Sequence, residues 1–158
     1  MESTVLPQPS LPLTSQRTIK RALTLLENHL REPGVAFTST PFSRDWLRLH
    51  LSGLEREVFL VLLLDNHNRL LAHEMLLSGS INSTVVHPRE IVKAALRHNA
   101  AAVILAHNYP SGFAETNEAD RNITERLKQA LALVDARLLD HLVVGSKQIV
   151  SFAERSWL

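Results

Sequence analysis

The sequence predicts a single α/β domain in which helices flank a mixed β-sheet. Two continuous apolar runs, VFLVLLL at 58–64 and AAVILAH at 101–107, have the length of strands that are covered on both faces. An amphipathic segment at 117–135 predicts a long helix packed on that sheet. A chain of 158 residues, 45% of them hydrophobic, is large enough to bury such a core.

Three further strands follow from turn signals and apolar patterning. The DNHN turn at 65–68 joins the first apolar run to a returning strand at 69–77, which predicts a hairpin. The segments 138–145 and 148–152 predict two closing strands.

Helices are predicted before and between the strands. Apolar residues at helical spacing indicate helices at 17–30 and 41–51. The segment 87–99 predicts another helix, because Pro88 suits the first helical position. The predicted order is two helices followed by β-β-α-β-α-β-β.

The chain divides into three parts. Residues 1–16 hold three prolines, and we expect a flexible N-terminus there. This stretch lacks the basic start and apolar core of a signal peptide. Residues 17–55 form an N-terminal helical segment, and residues 56–158 form the sheet domain.

Composition narrows the functions to be considered. The absence of cysteine excludes disulfides and thiolate metal sites, and it fits the reducing cytoplasm, where we expect the protein. A formal net charge of +1 does not support nucleic-acid binding. DNA association through Arg17, Lys20 and Arg21 is the weaker alternative to a solvated helix face. No apolar run approaches the roughly 20 residues that cross a membrane, so no membrane partner is expected.

Three polar residues lie where the patterns favour apolar ones. Glu74 lies between apolar neighbours on one strand face, or alternatively at an edge open to solvent. His107 ends an apolar strand, where α/β folds gather ligands, although a lone histidine there often makes only a hydrogen bond. Asp120 lies in the first turn of the long helix, where it and Asn117 could instead form a capping box.

Together these residues predict a site for zinc-assisted hydrolysis. We expect Glu74, His107 and Asp120 to converge on one cleft. Zinc polarises a carbonyl and lowers the pKa of its bound water, and an unliganded glutamate transfers the proton. Other conspicuous residues receive structural interpretations. His73 should face the opposite side of the sheet from Glu74. For Asp140 and His141 we expect a structural hydrogen bond, with a catalytic role as the less favoured alternative.

The stretch HNYPSGFAETNEAD at 107–120 follows the spacing His-x-His, then seven positions of which the first is Pro110, then Ser-x-x-Asp. This pattern resembles that of the JAB/MPN (JAMM) metallopeptidase-like domains. The flanking segments GSINSTVVHPREIVKAALRHNAAAVILAHN (79–108), LLDHLVVG (138–145) and SFAERSWL (151–158) resemble the RadC family, in particular its short prophage-type members. The resemblance covers about residues 17–158 and implies a cytidine-deaminase-like fold. The family carries an old DNA repair label, which names no mechanism.

The resemblance implies a role for each matching residue. Glu74 stands at the position of the catalytic general acid/base, and His107 and Asp120 stand at two of the three zinc ligands. Asn117 replaces the serine that steadies the tetrahedral intermediate, and its amide can donate a hydrogen bond to an oxyanion. Tyr109 replaces the second ligand histidine.

Tyr109 predicts weak zinc binding. A phenol must lose a proton to bind zinc well, and its unperturbed pKa is about 10, against about 6.5 for histidine. Its oxygen also lies roughly 2 Å further from the backbone than an imidazole nitrogen, so the ligand geometry must shift. Losing even a supporting partner of a ligand typically lowers affinity about 10–100-fold.

Two hypotheses remain open at this point. The first is a zinc-dependent peptidase or isopeptidase that acts on a peptide or protein, with Tyr109 as an unusual third ligand or a bystander. The second is a metal-free module that binds peptides or proteins in the same groove without cutting them. The zinc content of the purified protein distinguishes the two.

Overall fold

The computed structural model describes residues 11–32, 37, 41–51, 57–77, 86–108, 118–145 and 148–158. The helices and strands in these ranges follow the predicted order, which confirms a mixed α/β fold. They are α1 (Leu13–Leu30), α2 (Pro41–Leu51), β1 (Val58–Leu64), β2 (Leu70–Leu77), α3 (Pro88–Arg97), β3 (Ala102–Asn108), α4 (Glu118–Ala132), β4 (Arg137–Val144) and β5 (Ile149–Ser151).

The strands form one sheet in the order β2-β1-β3-β4-β5. β1 and β2 form the predicted hairpin, and its turn is held by Asp65, whose carboxylate accepts the backbone N–H groups of His67 (2.8 Å) and Arg69 (2.9 Å). β3 and β4 are parallel, whereas the other neighbouring strands are antiparallel. Parallel neighbours need a crossover connection, and α4 lies in that connection.

Helices cover both faces of the sheet, as the apolar runs predict. β1 is buried along its whole length, and so is β3. Trp46 and Leu47 of α2 pack with Leu60 and Leu62 of β1 on one face. On the other face, Leu127 of α4 belongs to a second core cluster, which contains the alternate β1 residues Phe59, Val61 and Leu63 together with Ile91 and Leu131.

α1 begins at Leu13, four residues before the predicted start at residue 17. Proline lacks the N–H group that a helix interior needs, so Pro12 is suited to the position just before the first residue of α1. The Pro12 carbonyl accepts the Gln16 N–H at 3.0 Å, which closes the first turn. Residues 13–16 therefore belong to the helix and not to the flexible segment predicted for 1–16; residues 1–10 lie outside the described ranges.

Within the described ranges, no helix combines the length and the apolar character that crossing a membrane requires.

Candidate functional site

His107 lies near the carboxyl end of β3 and is 95% buried, with 5% of its surface exposed. It pairs with Phe59 of the neighbouring strand, and the two rings stack with centroids 5.7 Å apart. The chain leaves β3 and enters α4 further on, so His107 lies on the strand that leads to Asp120, the third residue of that helix.

A buried chain of hydrogen bonds connects His107 to α4. Nδ1 of His107 lies 2.7 Å from Nε2 of His141, and Nδ1 of His141 lies 2.6 Å from Oγ1 of Thr124. The Thr124 hydroxyl donates to the backbone carbonyl of Asp120 at 2.7 Å. His141 is fully buried and Thr124 is 1% exposed, so β3, β4 and α4 are joined away from water.

A β-bulge aims His141 at His107. Val103 pairs with Leu138, but the next residue of β3, Ile104, pairs with Asp140, so β4 holds one extra residue at this point. A one-residue insertion reverses which face the following side chains occupy. His141 therefore faces the side of the sheet that carries His107.

Two carboxylates act electrostatically on His107. Burial lowers the pKa of His107, and the negative charges of Asp120 and Glu57 act in the opposite direction. For His141, burial and the neighbouring His107 hold the pKa well below its usual value. His141 is accordingly neutral near pH 7.

Glu74 lies on the same face of the sheet as His107. It pairs with Val61, which pairs in turn with Leu105, and His107 is two residues further along β3. Strand spacings of about 4.8 Å and a rise of about 3.3 Å per residue separate the Cα atoms of Glu74 and His107 by about 12 Å.

The Glu74 carboxylate has two different surroundings. Oε1 accepts a hydrogen bond from Arg97 of α3. Oε2 is buried 3.6 Å from Nε2 of His98, and within the described chain it accepts no hydrogen bond. The side chain is 26% exposed on the edge strand β2, so it combines features of the cleft and of the edge position.

The described residues supply two of the predicted zinc ligands. Histidine nitrogen and carboxylate oxygen are both suitable zinc donors, and the charge of Asp120 acts on His107. Among the described residues, no three His, Asp or Glu side chains form a group that could hold a metal. The third predicted ligand, Tyr109, and the predicted oxyanion donor, Asn117, lie outside the described ranges. The donor chemistry therefore fits zinc at two positions, and the third position carries a phenol.

The structural interpretation of His73 is confirmed. His73 faces α1 and α2, with Nε2 3.0 Å from Oε1 of Glu27 and its ring centroid 4.9 Å from that of His50. Asp140 also has the predicted structural role. Its carboxylate accepts the N–H groups of His141 (2.7 Å) and Ala153 (3.0 Å) and the Ser151 hydroxyl (2.6 Å).

Sequence reasoning missed three residues linked to His107: its hydrogen-bond partner His141, Thr124, which extends the chain from His141, and Glu57, whose charge acts on His107. The histidine in LLDHLVV carried a signal, because a polar residue in an apolar strand needs a partner. Its partner could not be identified, because the bulge in β4 breaks the alternation that assigns strand residues to faces.

Comparison with known proteins places these observations in a family. A profile of the RadC-like JAB domain matches residues 37–157. The UPF0758 protein YfjY of Escherichia coli (strain K12) is 64% identical over an alignment of 159 positions, which covers 100% of this chain and 99% of that relative. The UPF0758 protein YkfG of the same strain is 62% identical over 90% of each chain. A UPF0758 protein of Cellvibrio japonicus (strain Ueda107) is 58% identical over 79% of this chain and 56% of its own length.

Proposed function

The chain belongs to the RadC-like JAB domain family, and we propose that it carries a zinc-dependent hydrolase site for peptide or isopeptide bonds that Tyr109 has weakened. The observation that supports this proposal best is the hydrogen-bond chain that joins His107 to the backbone of Asp120, a residue whose negative charge acts on the imidazole. A histidine and a carboxylate at the junction of a strand end and a helix start are suitable zinc ligands.

His107 and Asp120 would hold the metal in the native chain, and a histidine at position 109 would supply the third protein ligand. Zinc, when bound, supplies Lewis acidity that polarises the scissile carbonyl and lowers the pKa of water.

Glu74 would act as the general acid/base. It would accept a proton from the attacking water as the water oxygen bonds to the carbonyl carbon. It would then donate that proton to the departing nitrogen as the carbon–nitrogen bond breaks. Oε2 of Glu74 accepts no hydrogen bond in the described chain, so no other donor there competes for its lone pairs. Asn117 would donate a hydrogen bond to the oxyanion.

The identity of residue 109 also supports a second function. With a phenol in place of a ligand histidine, the chain could bind a peptide or protein in the cleft without metal and without cutting it. The two functions differ in whether the native chain takes up zinc.

Zinc titration of three chains at neutral pH, by competition with a chromophoric chelator, tests the proposal. We expect weak binding to the native chain and a gain of at least about 10-fold on Tyr109→His, because an imidazole completes the ligand set. Tyr109→Phe removes the phenol oxygen and serves as the control, with affinity equal to that of the native chain.

Two results would contradict the proposal. Tight stoichiometric zinc on the native chain that Tyr109→Phe abolishes would identify the phenolate as an effective ligand and the site as unimpaired. Failure of Tyr109→His to bind zinc would favour the metal-free binding module.

A further inference from the structure

We propose that Thr124 and His141 fix the tautomer of His107, so that its Nδ1 carries the proton and its Nε2 carries the lone pair. The two residues are positioning residues that act through His107. The consequence for zinc rests on the proposed function, whereas the tautomer is a property of the metal-free chain.

Thr124 determines which atom donates in each hydrogen bond of the series from Asp120 to His107. A threonine hydroxyl has one hydrogen, and here it is donated to the Asp120 carbonyl, which can only accept. Oγ1 of Thr124 also lies 2.6 Å from Nδ1 of His141. Since the hydroxyl hydrogen is already engaged, Nδ1 of His141 must be the donor in this second contact.

The same assignment of donor and acceptor atoms applies to the contact between the rings of His141 and His107. A neutral histidine that carries its proton on Nδ1 has an acceptor at Nε2. Nε2 of His141 lies 2.7 Å from Nδ1 of His107, a distance at which one of the two atoms must carry a hydrogen and the other must not. Nδ1 of His107 is therefore the donor.

If these hydrogen bonds were donated in the reverse direction, His107 could not bind a metal through Nε2. If His141 carried its proton on Nε2, it would donate to Nδ1 of His107. A neutral His107 would then hold its own proton on Nε2, and this nitrogen would have no lone pair for a metal. Histidine ligands of metals almost always donate their other ring N–H to a partner that fixes the tautomer. Here a second histidine is that partner.

Packing holds the participating groups in place. His141 lies between aromatic rings, with the Phe152 centroid at 4.5 Å and the Phe59 centroid at 5.5 Å. Thr124 is held on α4 by its bond to Asp120, one helical turn earlier. Each group is almost fully buried, so water molecules do not replace the partners in these hydrogen bonds.

The first test is a measurement of imidazole ¹⁵N chemical shifts on the metal-free native chain by long-range ¹H–¹⁵N correlation. We expect His141 and His107 both to show a protonated Nδ1 and an unprotonated Nε2. A protonated Nε2 on His141 overturns the inference, whatever the zinc affinity is.

The second test compares Thr124→Val with Thr124→Ser in the Tyr109→His background. Valine keeps the shape of threonine but removes the acceptor for His141, whereas serine keeps the hydroxyl. We expect Thr124→Val to shift His141 toward protonated Nε2 and to weaken zinc binding about 10–100-fold. Thr124→Ser should keep both the tautomer of His141 and the zinc affinity of the chain with Thr124.

The two proposals fail in different ways. If Tyr109→His binds no zinc, the proposed function fails, and the nitrogen shifts still decide the tautomer. If Tyr109→His binds zinc and Thr124→Val changes neither the affinity nor the shifts, the tautomer inference fails and the proposed function stands.

Discussion

At the scale of single residues, the two carboxylate oxygens of Glu74 have different surroundings. One oxygen pairs with Arg97, and the other is buried without a hydrogen bond in the described chain. The Arg97 side chain is 51% exposed, so water can replace this ion pair and its contribution to stability is small. The pairing with Arg97 is therefore compatible with a role for Glu74 in proton transfer.

This assignment predicts a separation of binding from catalysis. In the Tyr109→His background, Glu74→Gln should leave zinc affinity unchanged and lower hydrolysis of a peptide substrate at least about 100-fold, the usual contribution of a general base. Chelator competition and a fluorogenic peptide assay measure the two properties. Arg97→Gln removes the ion pair but keeps the carboxylate, so it should still hydrolyse the peptide. Equal hydrolysis by the Glu74 variant and its parent would exclude the assigned role.

At the scale of elements, local patterns predicted most of the fold. β1 and β3 were predictable because strands covered on both faces are continuously apolar, and the Asp65 turn marks the hairpin. Contacts between distant segments were harder to predict. His107 and Asp120 could be paired because one connection separates their elements. His141 is 34 residues from its partner His107 and reaches it through the bulge in β4, which no residue pattern announces.

Asp140 provides a test of how β4 is tied to the chain after β5. Alanine at this position removes three hydrogen bonds, each with a net contribution of about 1 kcal/mol, so Asp140→Ala should lower the free energy of unfolding by about 2–3 kcal/mol. Asp140→Asn keeps an oxygen for the two N–H donors and should stay within about 1 kcal/mol of the native chain. Urea denaturation measures both values. Equal stability of the two variants would show that these hydrogen bonds do not hold the closing segment.

At the scale of the whole molecule, the half-buried His50 on one face of the sheet and the buried His107 and His141 on the other predict that acid destabilises the fold. Burial is the largest cause of a lowered pKa at His50, His107 and His141. His50 stacks on Trp46 on the face opposite the candidate site, where the neighbouring His73 lowers its pKa further and Glu27 acts in the opposite direction. Within the described chain, its Nδ1 is buried without a hydrogen bond.

The sign of the pH dependence follows from these shifts. Near pH 7.5 both the folded and the unfolded chain hold these rings neutral. As the pH falls below about 6.5, the histidines of the unfolded chain bind protons, whereas those of the folded chain, with their lowered pKa values, stay neutral. The free energy of unfolding is therefore highest above about pH 6.5 and decreases as the pH falls from there to the lower pKa values of the folded state. The melting temperature of the metal-free chain should therefore decrease from pH 7.5 to pH 5.5. His50→Phe keeps a ring on Trp46 but cannot titrate, so its melting temperature should decrease less over the same range. A native chain whose melting temperature rises on acidification, or a His50→Phe chain with the full native decrease, would show that burial of these histidines does not control acid stability.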